Sequence, residues 1–122
     1  MSGLGCDYWA ITDHSPASLQ ANGLDEARLR KQIAEVARVN QQLEADGNPF
    51  RLLSGIEVDI LKTKLDFGDT LLAELDVVVA SLHVAGSNEA DNTSRLIAAS
   101  ENPNVHMLGH LTGRLLLRRE AY

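Results

Sequence analysis

The sequence predicts an α/β fold, a parallel sheet with crossover helices that is either open or closed into a barrel, on three observations. Four short segments rich in β-branched or bulky apolar residues alternate strictly with helical or connecting segments. No internal repeat, low-complexity tract or Ser/Gly-rich linker divides residues 1–122, so they read as one unit. Polar side chains able to bind a metal stand on or at the end of each predicted strand, and in parallel α/β sheets the carboxyl ends of the strands form the functional face.

The first strand is predicted over Cys6 to Thr12, with Cys6 read as a small buried hydrophobe near its start. An amphipathic helix follows. Leu29, Ile33, Val36 and Leu43 recur at helical spacing, while Arg28, Lys31, Glu35, Arg38 and Gln42 fill the other faces. Asp25-Glu26 suits the positive helix N-terminus, and Gly47 with Pro49 marks its end. Leu52 to Ile60 is the second strand, Asp69 to Glu74 a helical turn or two, and Asp76 to Leu82 the third strand. Asn92 to Ser100, with Leu96, Ile97 and Ala99, reads as a connecting helix stopped at Asn102-Pro103, and Val105 to Leu108 as the fourth strand. Thr112 to Tyr122 stays open between a loop and a further helix, because its three consecutive leucines fit no single period.

Composition limits the function. At 44% hydrophobic residues the chain can bury a core, yet 122 residues is short for an α/β barrel, which takes about 250. A net charge of −6 argues against coating a nucleic-acid backbone with Lys and Arg, although a local metal or basic pocket can still bind phosphate. Cys6 stands alone, and Met1 to Gly5 lacks a signal-peptide pattern, which together predict a reducing, cytoplasmic setting. The longest apolar run, Val77 to Ala80, is far too short to span a membrane, which needs about 20 residues.

The strand ends carry the chemistry. Thr12-Asp13-His14, Glu57, Ser81-Leu82-His83 and Gly109-His110 are expected to converge, and imidazole with carboxylate suits zinc, manganese or iron. A lone histidine at a strand end is usually a polar cap, but three such positions together favour a metal site. Glu57 alternates with Ile56 and Val58, and in a sheet covered on both faces its carboxylate needs a partner. His106, between Val105 and Met107, reads as structural. Asp13 has two equal readings, orienting a ligand imidazole or capping the next turn with Ser15. Arg95 and Arg114 are candidate phosphate clamps against the commoner role of solvated or ion-paired arginine, and Arg114 is the better of the two because it closely follows His110.

The stretches Ala10-Ile11-Thr12-Asp13-His14-Ser15, Gly55-Ile56-Glu57-Val58-Asp59-Ile60, Leu75 to His83 and Leu108 to Leu116 together resemble the PHP (polymerase and histidinol phosphatase) superfamily. Thr112-Gly113-Arg114-Leu115-Leu116, with Arg118 or Arg119 and Tyr122, is most similar to the PHP domain attached to bacterial family X DNA polymerases. The resemblance implies a distorted (βα)7 barrel, of which this chain would form the central strands and helices. It also implies a cluster of up to three divalent ions, zinc or manganese, that hydrolyses phosphoesters. It makes His14 a ligand of one metal, Glu57 the bridge between two others, and His83 with His110 the completion of one of those. Glu57, His83 and His110 would then carry catalysis through the bound metal and its water, with Arg114 as an accessory phosphate clamp.

Departures from the pattern bound these expectations. No His-x-His pair precedes Cys6 and no Asp-x-His pair follows in this chain, Lys62 to Asp66 replaces a turn with Asp-Gly, and Leu111 stands where proline is usual. The resemblance therefore predicts a partial barrel with two open sheet edges, in which the ion served by Glu57, His83 and His110 keeps most of its ligands. The expected activity is DNA 3′-end processing or 3′–5′ exonuclease action beside a polymerase domain. A small-molecule phosphatase of the histidinol-phosphatase type and a non-catalytic structural remnant are the alternatives.

Overall fold

The computed structural model describes residues 5–84, 86–114, 117 and 121. Strand β1 (Tyr8–His14) leads through a short 3-10 turn, Leu19–Ala21, into helix α1 (Glu26–Ala45), then strand β2 (Arg51–Asp59). Helix α2 (Asp69–Leu72), strand β3 (Val77–Ser81), helix α3 (Glu89–Ser100) and strand β4 (Met107–Gly109) complete the order. The four strands form one parallel sheet in the order β1-β2-β3-β4. This is the α/β fold expected, and among the described residues the sheet is open, with β1 and β4 at its edges.

Local chemistry sets the element limits. Asp25 caps α1 by accepting from the Arg28 amide at 2.8 Å, and Gly47 turns the chain out of it with φ +67°, which favours glycine. Asn88 caps α3 in the same way, accepting from the Asp91 amide at 2.9 Å, so α3 begins three residues before the predicted Asn92. β1 begins and ends two residues later than predicted. Cys6 therefore precedes the strand and is exposed, which corrects its reading as a buried hydrophobe. The tail motif residues Leu115, Leu116, Arg118, Arg119 and Tyr122 lie outside the described residues.

Strand alternation divides the sheet into two faces. One carries Ile56, Val58, Val78, Ala80 and Leu82, all at most 1% exposed, with Leu29, Leu72 and Ala99 buried in the same core and Ile33 packed against it. Each such large apolar side chain contributes roughly 1.5–3 kcal/mol by leaving water. β2 outruns its neighbour β3, and side chains satisfy the surplus backbone groups. Asn40 of α1 donates to the Leu52 carbonyl and accepts from the Leu52 amide, both at 2.8 Å, and Asp76 accepts from the Ser54 amide and hydroxyl at 2.9 Å. The opposite face follows the register His14↔Glu57↔Val79 and Asp59↔Ser81↔Gly109, which brings polar residues of adjacent strands to one level. Among the described residues, no helix is long and apolar enough to cross a membrane.

Candidate metal centre

His14 is the last residue of β1 and Glu57 pairs with it in register on β2, so both side chains leave the same face of the sheet. His83 lies two residues beyond β3 and His110 directly after β4. The fold thus brings all four strand-end residues together. Glu57 stands at the centre. Its Oε1 lies 3.4 Å from His83 Nε2 and 3.3 Å from His110 Nε2, and those two nitrogens are 3.2 Å apart. Its Oε2 lies 3.7 Å from His14 Nε2. One donor atom each from His14, Glu57 and His83 fits within 4.8 Å.

This arrangement fits a metal on grounds internal to the site. Donors about 2.05 Å from a tetrahedral ion stand about 3.3 Å from one another, and the Oε1, Nε2, Nε2 triangle has that edge on all three sides. Imidazole and carboxylate are donors for zinc or manganese. Two buried polar atoms beside the cluster, His14 Nδ1 and Ser81 Oγ, have no hydrogen-bond partner among the described residues. Buried groups of that kind normally find one. Burial works to raise the Glu57 carboxyl. The Ser81 hydroxyl beside it, though in no well-formed hydrogen bond, and the charges of His14, His83 and His110 outweigh that effect and hold it below the ordinary carboxylate range. Glu57 is thereby kept as the anionic centre of the group. His110 is about half exposed, at 49%, which leaves one side of the cluster open.

A second carboxylate, passed over in the sequence, stands behind His83. Asp59 Oδ1 lies 2.6 Å from His83 Nδ1, its Oδ2 accepts from the Ser15 hydroxyl at 3.0 Å, and its backbone amide donates to Ser15 Oγ at 2.9 Å. Asp59 and Ser15 are both buried. The signal was present in Glu57-x-Asp59, a spacing that puts both carboxylates on one face of a strand. Asp13 takes neither of its expected roles. It leaves the other face of β1, where Gln32 Nε2 of α1 donates to its carboxylate.

The remaining candidates stand apart. His106 is structural, as expected: its Nδ1 accepts from the Val78 amide at 3.0 Å while its own amide donates to the Val78 carbonyl at 3.0 Å, continuing the ladder between β3 and β4. Arg95, weighed as a phosphate clamp, is buried instead, its guanidinium donating to the carbonyls of Ile60, Leu61 and Val84. Arg114 is exposed four residues beyond His110, and its guanidinium makes no hydrogen bond or ion pair among the described residues.

Known proteins match the chain in keeping with the motif resemblance. It is 42% identical over 121 residues, 97% of its length, to the DNA polymerase/3′-5′ exonuclease PolX of Bacillus subtilis. It is 41% identical over 64 residues to a probable phosphatase of Clostridium acetobutylicum, and 38% identical over 65 residues to one of Thermoanaerobacter pseudethanolicus, each match covering 48% of the chain. The matches cover 20% of the Bacillus protein and 26% of each phosphatase, so the chain corresponds to a minor part of these relatives. No family model matches.

Proposed function

We propose, from the premise that this chain is a PHP-type segment related to part of the family X polymerases, that it carries a divalent-metal phosphoesterase centre acting on DNA 3′ ends. The observation that carries this reading is the near-equilateral donor triangle of Glu57, His83 and His110. A divalent ion, zinc or manganese, supplies Lewis-acid polarisation of a phosphoryl oxygen and lowers the pKa of a bound water. The residues would do the rest. His83 and His110 present Nε2, and Glu57 presents one oxygen to them and the other towards His14, a disposition suited to bridging adjacent ions. In a complete domain up to three ions would be held. Asp59 contacts His83, so the orienting part first weighed for Asp13 passes to Asp59 in this reading. The exposed side at His110 gives a phosphoester access, and Arg114 would reach its oxygens with a guanidinium not engaged elsewhere among the described residues. An acidic chain then recruits phosphate through bound metal rather than a basic surface, beside a polymerase domain and in a reducing cytoplasm.

The phosphatase relatives favour a second reading, hydrolysis of a small phosphomonoester. One experiment separates the readings. The purified chain is analysed for bound metal, then given a 3′-labelled oligonucleotide and a small phosphomonoester with added Mn²⁺. Stepwise loss of 3′ nucleotides, abolished in Glu57→Gln, supports the first reading. Phosphate release with an intact oligonucleotide supports the second, bound metal with neither reaction leaves a non-catalytic metal-binding segment, and no bound metal overturns the centre itself.

A further inference from the structure

We infer that Asp59, held by Ser15, is a positioning residue that fixes the tautomer and orientation of His83, so that this arm of the centre is built before any ion arrives. The inference rests on the metal-centre reading of the preceding subsection. Asp59 Oδ1 is 2.6 Å from His83 Nδ1, a short distance of the kind seen when a ring N–H meets a carboxylate. With Nδ1 donating, a neutral imidazole must keep its lone pair on Nε2, the atom that faces Glu57 and His110. A ligand histidine held through its other nitrogen by a carboxylate is more basic and loses less rotational freedom on binding.

Asp59 is itself unusually well fixed. Its side chain is only 5% exposed, and the Ser15 hydroxyl both donates to its Oδ2 and accepts from its backbone amide, closing a small ring between the end of β1 and the end of β2. Ser15 is fully buried, and its amide donates to the Glu57 carbonyl at 3.1 Å. Two residues on, the Ala17 amide donates to Asp66 at 2.6 Å, so a second contact ties the same loop to the segment after β2. The carboxylate therefore cannot swing away from His83 without also losing the buried Ser15 hydroxyl. His14 offers the contrast. Its Nδ1 is buried with no hydrogen-bond partner among the described residues, so none of them holds it as Asp59 holds His83.

An isosteric amide at position 59 provides the test. In Asp59→Asn, Oδ1 can keep the Ser15 hydroxyl bond while the NH₂ group turns to His83, where it donates to Nδ1 and favours the tautomer with Nε2 protonated, unfit to bind metal. Nitrogen-15 NMR of the metal-free chain at mildly alkaline pH should show His83 protonated at Nδ1 in the wild type and shifted towards Nε2 in the variant. Chelator competition with Zn²⁺ should show affinity lower by about 10- to 100-fold in Asp59→Asn. The loss should shrink to near nothing when Asp59→Asn is placed in a His83→Ala background, since a merely structural defect would persist there. Asp59→Glu, which keeps the carboxylate, should recover part of the affinity.

Wild-type His83 protonated at Nε2 overturns the inference without recourse to any variant, as does equal Zn²⁺ affinity in Asp59→Asn or an equal loss with and without His83. A wild-type chain that binds no Zn²⁺ while its His83 is protonated at Nδ1 instead overturns the metal-centre reading and leaves the hydrogen-bond relay standing.

Discussion

Glu57 is the residue on which the centre turns, because each of its oxygens meets a different part of the histidine cluster. Replacing it by Gln keeps the shape and removes the anion, so bound metal and hydrolysis should both fall below detection in element analysis and the oligonucleotide assay. Its carboxyl is held below the ordinary value of 4.5, which has a definite sign. In the acid range the unfolded chain binds the proton first, so the contribution is present above about pH 4.5 and fades as pH falls through the lower folded value. Urea midpoints of the metal-free chain measured against pH should therefore drop over that window, and less steeply in Glu57→Gln. Arg114→Ala should lower kcat/KM about 10- to 100-fold, chiefly through KM, if the guanidinium grips phosphate. Unchanged kinetics would remove Arg114 from the site. All four ligand candidates were legible as strand-end residues. Asp59 was not singled out: Glu57-x-Asp59 places it on the same strand face, but its partners Ser15 and His83 lie 44 and 24 residues away in the chain, contacts that the local pattern does not name.

The strands and helices were legible by period, and the ends less so. Asn88 was missed as a cap because the three residues after it carry no apolar periodicity to mark a first turn. The tight approach between strands could not be read at all. A Cβ on Gly55, in the middle of β2, would stand 2.7 Å from the Val77 carbonyl oxygen and 3.0 Å from that of Ile11, both backbone atoms that cannot turn aside. Gly55→Ala should thus destabilise by about 1–3 kcal/mol, visible as a lower urea midpoint at an unchanged slope. Arg95 acts at the same scale, since its guanidinium ties carbonyls of the segment after β2 to one after β3. Arg95→Leu would strand three acceptors at about 1–3 kcal/mol for each one left dry. A neighbouring cavity of about 520 Å³, lined in part by Lys62, Asp66, Asp91 and Arg95, is large enough for water to reach some of them. The net loss should stay within about 3 kcal/mol, and a larger one would mean that water does not enter.

At the scale of the whole molecule, the sheet is held from one face by its helices, while residues at the ends of all four strands come together at the histidine-carboxylate cluster. The helix-side core joins β2 and β3 most strongly, through Ile56, Val58, Val78 and Ala80. β1 and β4 are edges, and Tyr8 and Met107 on them remain more than half exposed. An ion at the cluster would add bonds where apolar packing is thinnest, linking the end of β2 to those of β3 and β4, with His14 of β1 beside them. Binding to the folded chain alone raises stability by about 2.7 kcal/mol when free metal is 100 times its Kd. For a chain of this size that corresponds to a rise in Tm on the order of 10 °C. Thermal unfolding should accordingly shift upwards with added Zn²⁺ or Mn²⁺ and return on chelation. The shift should be much reduced in His83→Ala and in His110→Ala, each of which keeps the remaining ligands. Amide hydrogen exchange should slow on loading, most at 107–110 and 81–83, because those edge segments gain the most from a ligand bond. If exchange slowed evenly across the sheet, or the shift was undiminished in His83→Ala, the ion would be binding elsewhere on the surface and the cluster would not be what joins the strand ends.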